Sequence, residues 1–122
     1  MKKAIFYRPI MSKRIPRVNS LIRNELSRIL LKEVDFPQGI LVTLTRVETS
    51  SDLQESKVYI SVLPSGKTKE ILKILNKIIY GLQKTLNQRL KIRPIPRIKF
   101  VKEEKTNEAE RIEELLEVLK KE

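Results

Sequence analysis

The stretch from Lys69 to Leu90, KEILKILNKIIYGLQKTLNQRL, limits what this chain can fold into more than any other. At 100° per residue, Ile71, Ile74, Leu75, Ile78, Leu82 and Leu86 fall on one broad face. Lys73, Lys77, Tyr80 and Lys84 gather within about 60° of each other on the opposite one. A segment of this kind lays its aliphatic side on another layer of structure and leaves its cationic side open. Gly81 interrupts it. Glycine in a helix interior costs about 1 kcal/mol relative to alanine, so its presence predicts a kink or a helix-to-helix joint at that point.

The 122 residues suffice for one domain with a real hydrophobic core, plus tails. The formal net charge is +11 and the pI is near 10.0, a balance that favours a polyanionic partner, nucleic acid first. The charge is also segregated. From Lys67 to Lys102 there are eleven basic side chains against one acid, Glu70, whereas residues 103–122 carry four basic and eight acidic ones. Such separation suits a binding surface better than uniform solubilisation. The chain has no cysteine and no histidine, which removes disulfides, thiolate chemistry, the usual zinc ligands and the commonest general base. The opening MKKAIFYRPIMSKRIPR is basic but lacks a continuous apolar run, so it makes a poor signal peptide, and no stretch reaches transmembrane length. A soluble, cytosolic protein with no membrane contact is expected.

Residues 1–13 show no periodicity and Pro9 and Pro16 interrupt them, which predicts a flexible basic arm. From about Pro16 to Val34, Val18, Leu21, Ile22, Leu26, Ile29 and Leu30 recur at helical spacing, with Arg17, Arg28 and Lys32 together on the polar side. The turn Phe36-Pro37-Gln38-Gly39 ends that helix. ILVTLTRVE and KVYISVL then alternate as an antiparallel pair around a polar hairpin from Ser50 to Ser56, with Val58, Ile60 and Val62 on one face. After the helical stretch, Pro94 and Pro96 mark the entry to a third strand, with Ile98 and Phe100 facing one way and Arg97 and Lys99 the other. The order is helix, strand, strand, helix, helix, strand. It predicts an α+β layer in which Ile71, Leu75, Ile78 and Leu82 cover the sheet. Glu108 to Lys121 has helical spacing and is acidic, giving domain limits of 14–102 with an acidic helix or tail over 103–122.

Three blocks, RVNSLIRNELSRILLKE, VTLTRVETSSDLQESKVYISVL and ILKILNKIIYGLQKTLNQRLKIRPIPRIKF, resemble the ribosome-binding factor A family, and the C-terminal RIEELLEVL is similar to its closing segment. The resemblance implies a KH-like domain of type II topology. An interrupted helix at Gly81 stands in place of the usual Gly-x-x-Gly loop, which a chain with only Gly39, Gly66 and Gly81 cannot form. Family members carry a small residue two places before the joint glycine, where this sequence has Ile79. The resemblance also implies binding to the free 30S subunit and 16S rRNA. It further implies assistance in late maturation, including 5′-end processing, and a part in growth in the cold.

Lys73, Lys77, Tyr80 and Lys84, continued by Arg89, Lys91 and Arg93, form the candidate RNA-binding stripe, and Arg17 of the first helix is a further candidate contact. Lysines and arginines neutralise phosphates, and tyrosine can stack on an unpaired base. Ile79 and Gly81 form the candidate structural kink. The competing readings are a DNA-binding module using the same helix and a carboxylate-dependent nuclease using Glu103, Glu104, Glu108 and Glu110; glutamates in an acidic tail are commonly just solvated. Ser50, Ser51 and Ser61 have no histidine to activate them, and Asp52 is expected to organise the hairpin. The expectation is a monomeric binding protein, not an enzyme, with no metal and no cofactor.

Overall fold

The computed structural model describes residues 2–104, with side chains from Arg14 onward. Helix α1 spans Lys2–Glu33, and strands β1 (Leu41–Thr49) and β2 (Glu55–Leu63) follow. A short 3-10 turn over Ser65–Lys67 leads into α2 (Thr68–Lys77), α3 (Ile79–Arg89) and β3 (Arg97–Lys102). The sheet order is β1-β2-β3, antiparallel between β1 and β2 and parallel between β2 and β3. This is the α+β layer that the order of elements predicts, in the KH-like, type II topology that the family resemblance implies.

Helix α1 begins at Lys2, not near Pro16, and passes through both Pro9 and Pro16 where a flexible arm was expected. A proline removes one backbone hydrogen bond and bends a helix, which need not end it. Past Pro16, Val18, Ile22, Leu26, Ile29 and Leu30 are buried at helical spacing, and this stripe packs on β1 and α3. Gly39 takes φ +81° in the turn after α1, a conformation glycine adopts without a Cβ penalty.

Strand β1 contains a bulge at Thr45, between the pairs Leu44↔Ile60 and Arg46↔Tyr59. The extra residue shifts the alternation, so that Val42 and Leu44 before it and Val47 after it all turn toward the helices, a spacing of two and then three. Val58, Ile60 and Val62 of β2 and Ile98 and Phe100 of β3 complete the inner face, as their alternation predicts. In the hairpin, Asp52 Oδ1 accepts hydrogen bonds from Ser50 Oγ at 2.6 Å and the Gln54 amide at 3.1 Å, so this acid does organise the turn. Those bonds hold its carboxyl below the usual carboxylate range.

Helix α2 packs against β2 and β3 through Ile71 and Leu75, both fully buried, while α3 uses Leu82 and Leu86 and leans mainly on α1. Gln83 fastens α3 to the third strand, its Nε2 donating to the Pro96 carbonyl at 3.2 Å and its Oε1 accepting from the Ile98 amide at 2.8 Å. The acidic helix expected over Glu108 to Lys121 lies outside the described residues.

Candidate nucleic-acid interface

The break between α2 and α3 falls at Ile78, not at Gly81. Ile78 has φ −108° and ψ 8°, its amide donates to Leu75 in a tightened i−3 bond at 3.2 Å, and its own carbonyl accepts from Leu82 at 3.1 Å to start the next helix. Ile78 therefore gives up the buried place its periodicity predicts and is 37% exposed, while Ile79 opens α3 half-buried. The apolar stripe survives because Ile71, Leu75, Leu82 and Leu86 keep spacings of four, seven and four, with the break in the middle gap. Gly81 lies within the first turn of α3, where an added Cβ would meet no atom within 4 Å. The fold has no steric need for a glycine there.

The break has a chemical consequence. The amides of Ile79, Tyr80 and Gly81 make no hydrogen bond to backbone or side chain among the described residues, and no side chain caps the helix. A helix start with unpaired N–H groups carries a partial positive charge and suits an anionic oxygen. Lys73 and Lys77 share one face of α2, and Tyr80 and Lys84 share one face of α3, on the two sides of this opening. All four are exposed, Tyr80 at 90%. None of the three lysines has an acidic partner among the described residues. Exposed lysines on both helices and an exposed tyrosine thus flank the break in sequence, on either side of the open start of α3.

The other predicted cations do not belong to that joint. Arg89 is drawn toward α1, 3.4 Å from Glu25 and 4.0 Å from Glu33, so it ties two helices together and its charge is partly spent. Lys91 is exposed in the connection after α3. Arg93 curls back to donate to the carbonyls of Leu90 and Ile92. Arg17 stands near Arg93, in a groove that Arg14 also lines. The spacing of Arg14 and Arg17, three residues apart on a helix, puts them on one side of α1, a signal that a helix start near Pro16 hides.

Glu103 is not free for the metal chemistry considered above. Its carboxylate accepts from Arg46 Nε at 3.0 and 3.2 Å and from Thr45 Oγ1 at 3.2 Å. The guanidinium bond, then the threonine bond, hold its carboxyl below the usual range. Arg46 also pairs with Glu48 and lies over the Tyr59 ring, 3.8 Å from its centroid. The Tyr59 hydroxyl donates to Glu48, which raises its pKa. Glu104 is exposed, and Glu108 and Glu110 lie outside the described residues. A folded carboxyl held below its unfolded value near 4.3 adds stability that is present above that value and lost as pH falls through the folded one. Denaturation midpoints measured from pH 7 down to pH 3 should fall more steeply for the natural chain than for Glu103→Gln. Parallel curves would assign the acid sensitivity to other groups.

These features define a class, an α+β domain of KH-like topology with a cationic helix joint where a glycine clamp would stand. The family model for ribosome-binding factor A matches residues 14–116, and the chain belongs to that family. Ribosome-binding factor A of Coxiella burnetii is 39% identical over 107 residues, covering 88% of this chain and 90% of the relative. The crystal structure of ribosome-binding factor A from Thermus thermophilus superposes with a TM-score of 0.64 at 20% identity, covering 72% of this chain and 94% of that one. A Thermus thermophilus homology model fitted into the cryo-EM map of a 30S complex superposes with a TM-score of 0.50 at 25% identity, covering 66% and 90% of the two chains. Among the described residues no helix is long and apolar enough to cross a membrane.

Proposed function

We propose that this protein binds the free 30S ribosomal subunit in the cytosol by seating 16S rRNA phosphates on the α2–α3 joint. Lys73, Lys77 and Lys84 neutralise phosphate charge, the amides of Ile79 to Gly81 receive a phosphate oxygen, and Tyr80 offers its ring to an unpaired base. The observation that carries this reading is the open helix start at Ile79, flanked by exposed lysines with no acidic partner among the described residues. Further support is the relative fitted into a 30S complex map. Binding one of two rRNA arrangements more tightly biases a maturing subunit toward it, which assists 5′-end processing and maturation in the cold without catalysing a step. Sedimentation of the purified protein with free 30S, with intact 70S and with duplex DNA as competitor tests the reading. It predicts retention on 30S; preferential capture by the DNA would contradict it.

Gly81 gains a role in this reading. With no Cβ it lets a phosphate approach the start of α3, at a cost in helix stability. Gly81→Ala should therefore raise stability by about 0.5–1 kcal/mol while weakening 30S association severalfold, read by thermal melting and by sedimentation. A variant that is more stable and binds as well as the natural chain would remove the glycine from the site.

A further inference from the structure

A concave surface lies beyond the far end of α3, a helix of eleven residues that is itself about 16 Å long. Arg14, Arg17 and Arg93 line a groove of about 500 Å³ together with Leu21, Leu53 and Pro94, and among the described residues no acidic side chain contributes to its walls. That volume is ordinary for a small-ligand cleft. Two details mark it as built. Arg93 is fixed by its bonds to the Leu90 and Ile92 carbonyls, at 3.0 and 2.6 Å, through Nη1 alone. Its Nε and Nη2 donors have no partner among the described residues. Leu53 holds φ +60°, in the left-handed region that glycine or asparagine would occupy more easily. A leucine in that conformation places an aliphatic side chain in the groove at the expense of backbone comfort, and such strain gathers at binding sites.

The chemistry selects the ligand. Three guanidinium groups call for an anion, and the aliphatic patch calls for a flat apolar face beside it, which a bare phosphate lacks. A paired duplex presents phosphates but keeps its bases stacked, whereas an extruded nucleotide offers both. We propose that this groove takes one unpaired nucleotide of a folded RNA, its base against Leu21, Leu53 and Pro94 and its flanking phosphates on the three arginines. The inference rests on the RNA reading above and adds a second, separate contact that discriminates unpaired from paired RNA.

Two labelled RNA hairpins of equal length, one fully paired and one with a single bulged nucleotide, test it on the full chain. The natural protein should bind the bulged hairpin roughly tenfold more tightly, the scale of one stacked base. Leu53→Gly combined with Leu21→Ser removes two of the three apolar side chains that the base would meet. Glycine accepts the left-handed turn and Leu21 is already 37% exposed, so the fold should survive and the preference should shrink to within about twofold. Arg14→Gln with Arg17→Gln, both exposed, is the second variant should the first melt early, and it must also reduce the ratio. Charge reversal at Lys73, Lys77 and Lys84 should weaken both hairpins alike and keep the ratio. Equal binding of the two hairpins by the natural protein, or an undiminished preference in a folded groove variant, overturns the proposal. Loss of 30S sedimentation with the bulge preference intact would instead overturn the subunit reading and leave the groove standing.

Discussion

Replacing Lys73, Lys77 and Lys84 together by glutamate should abolish co-sedimentation with free 30S, weakening association by about a hundredfold or more, while circular dichroism and melting temperature stay as they were. The three side chains are exposed and make no ion pair among the described residues, so the fold loses nothing with them. The rRNA, in contrast, loses three charge-assisted contacts and meets three repelling carboxylates at the mouth of the α3 start. A reversal at Arg89 would be a poor substitute, because it would also place a carboxylate against Glu25 and Glu33 and loosen α3 from α1. A folded triple variant that still sediments with 30S would sink the assignment of the joint as the binding surface.

Leu75→Ala should cost about 2–5 kcal/mol and lower the melting temperature by on the order of 10 °C. Leu75 is fully buried on α2, the helix that covers β2 and β3, and truncation there leaves a cavity that a packed core fills only in part. The same substitution at Ile78, which is 37% exposed at the break, should cost far less. The contrast is informative because both residues belong to the same aliphatic stripe in the sequence. Equal losses at the two positions would mean that Ile78 is packed and that the helix pair is not interrupted there.

Much of the fold was legible from periodicity. Val18, Ile22, Leu26, Val58, Ile60, Val62, Ile98 and Phe100 are inside, as their spacings predict. The parallel register of β3 on β2 was not legible in the spacing, since alternation within a strand says nothing about its neighbour. The joint was misplaced by three residues because glycine is the usual suspect for a helix break. Here the break instead occurs at an isoleucine that leaves the core, and no local rule of propensity marks Ile78. The start of the N-terminal helix is hidden for a related reason, since Pro9 and Pro16 look like boundaries yet the helix runs through both. At the candidate site, the exposed Lys73, Lys77, Tyr80 and Lys84 on α2 and α3 are visible in the sequence as a stripe. What sequence could not separate was the use of each charge. Arg89 bridging two helices, Arg93 closing a helix end and Arg14 joining a groove are all set by tertiary neighbours.

The claim that the α2–α3 joint neutralises rRNA phosphates is tested most directly by the salt dependence of binding. The affinity for free 30S should be measured across a series of salt concentrations for the natural chain and for Lys73→Gln/Lys77→Gln/Lys84→Gln. If each lysine displaces a counterion from a phosphate, the slope of log affinity against log salt should become shallower by about 2 to 3 in the triple variant. Identical slopes for the two proteins would place the phosphate contacts elsewhere on the domain.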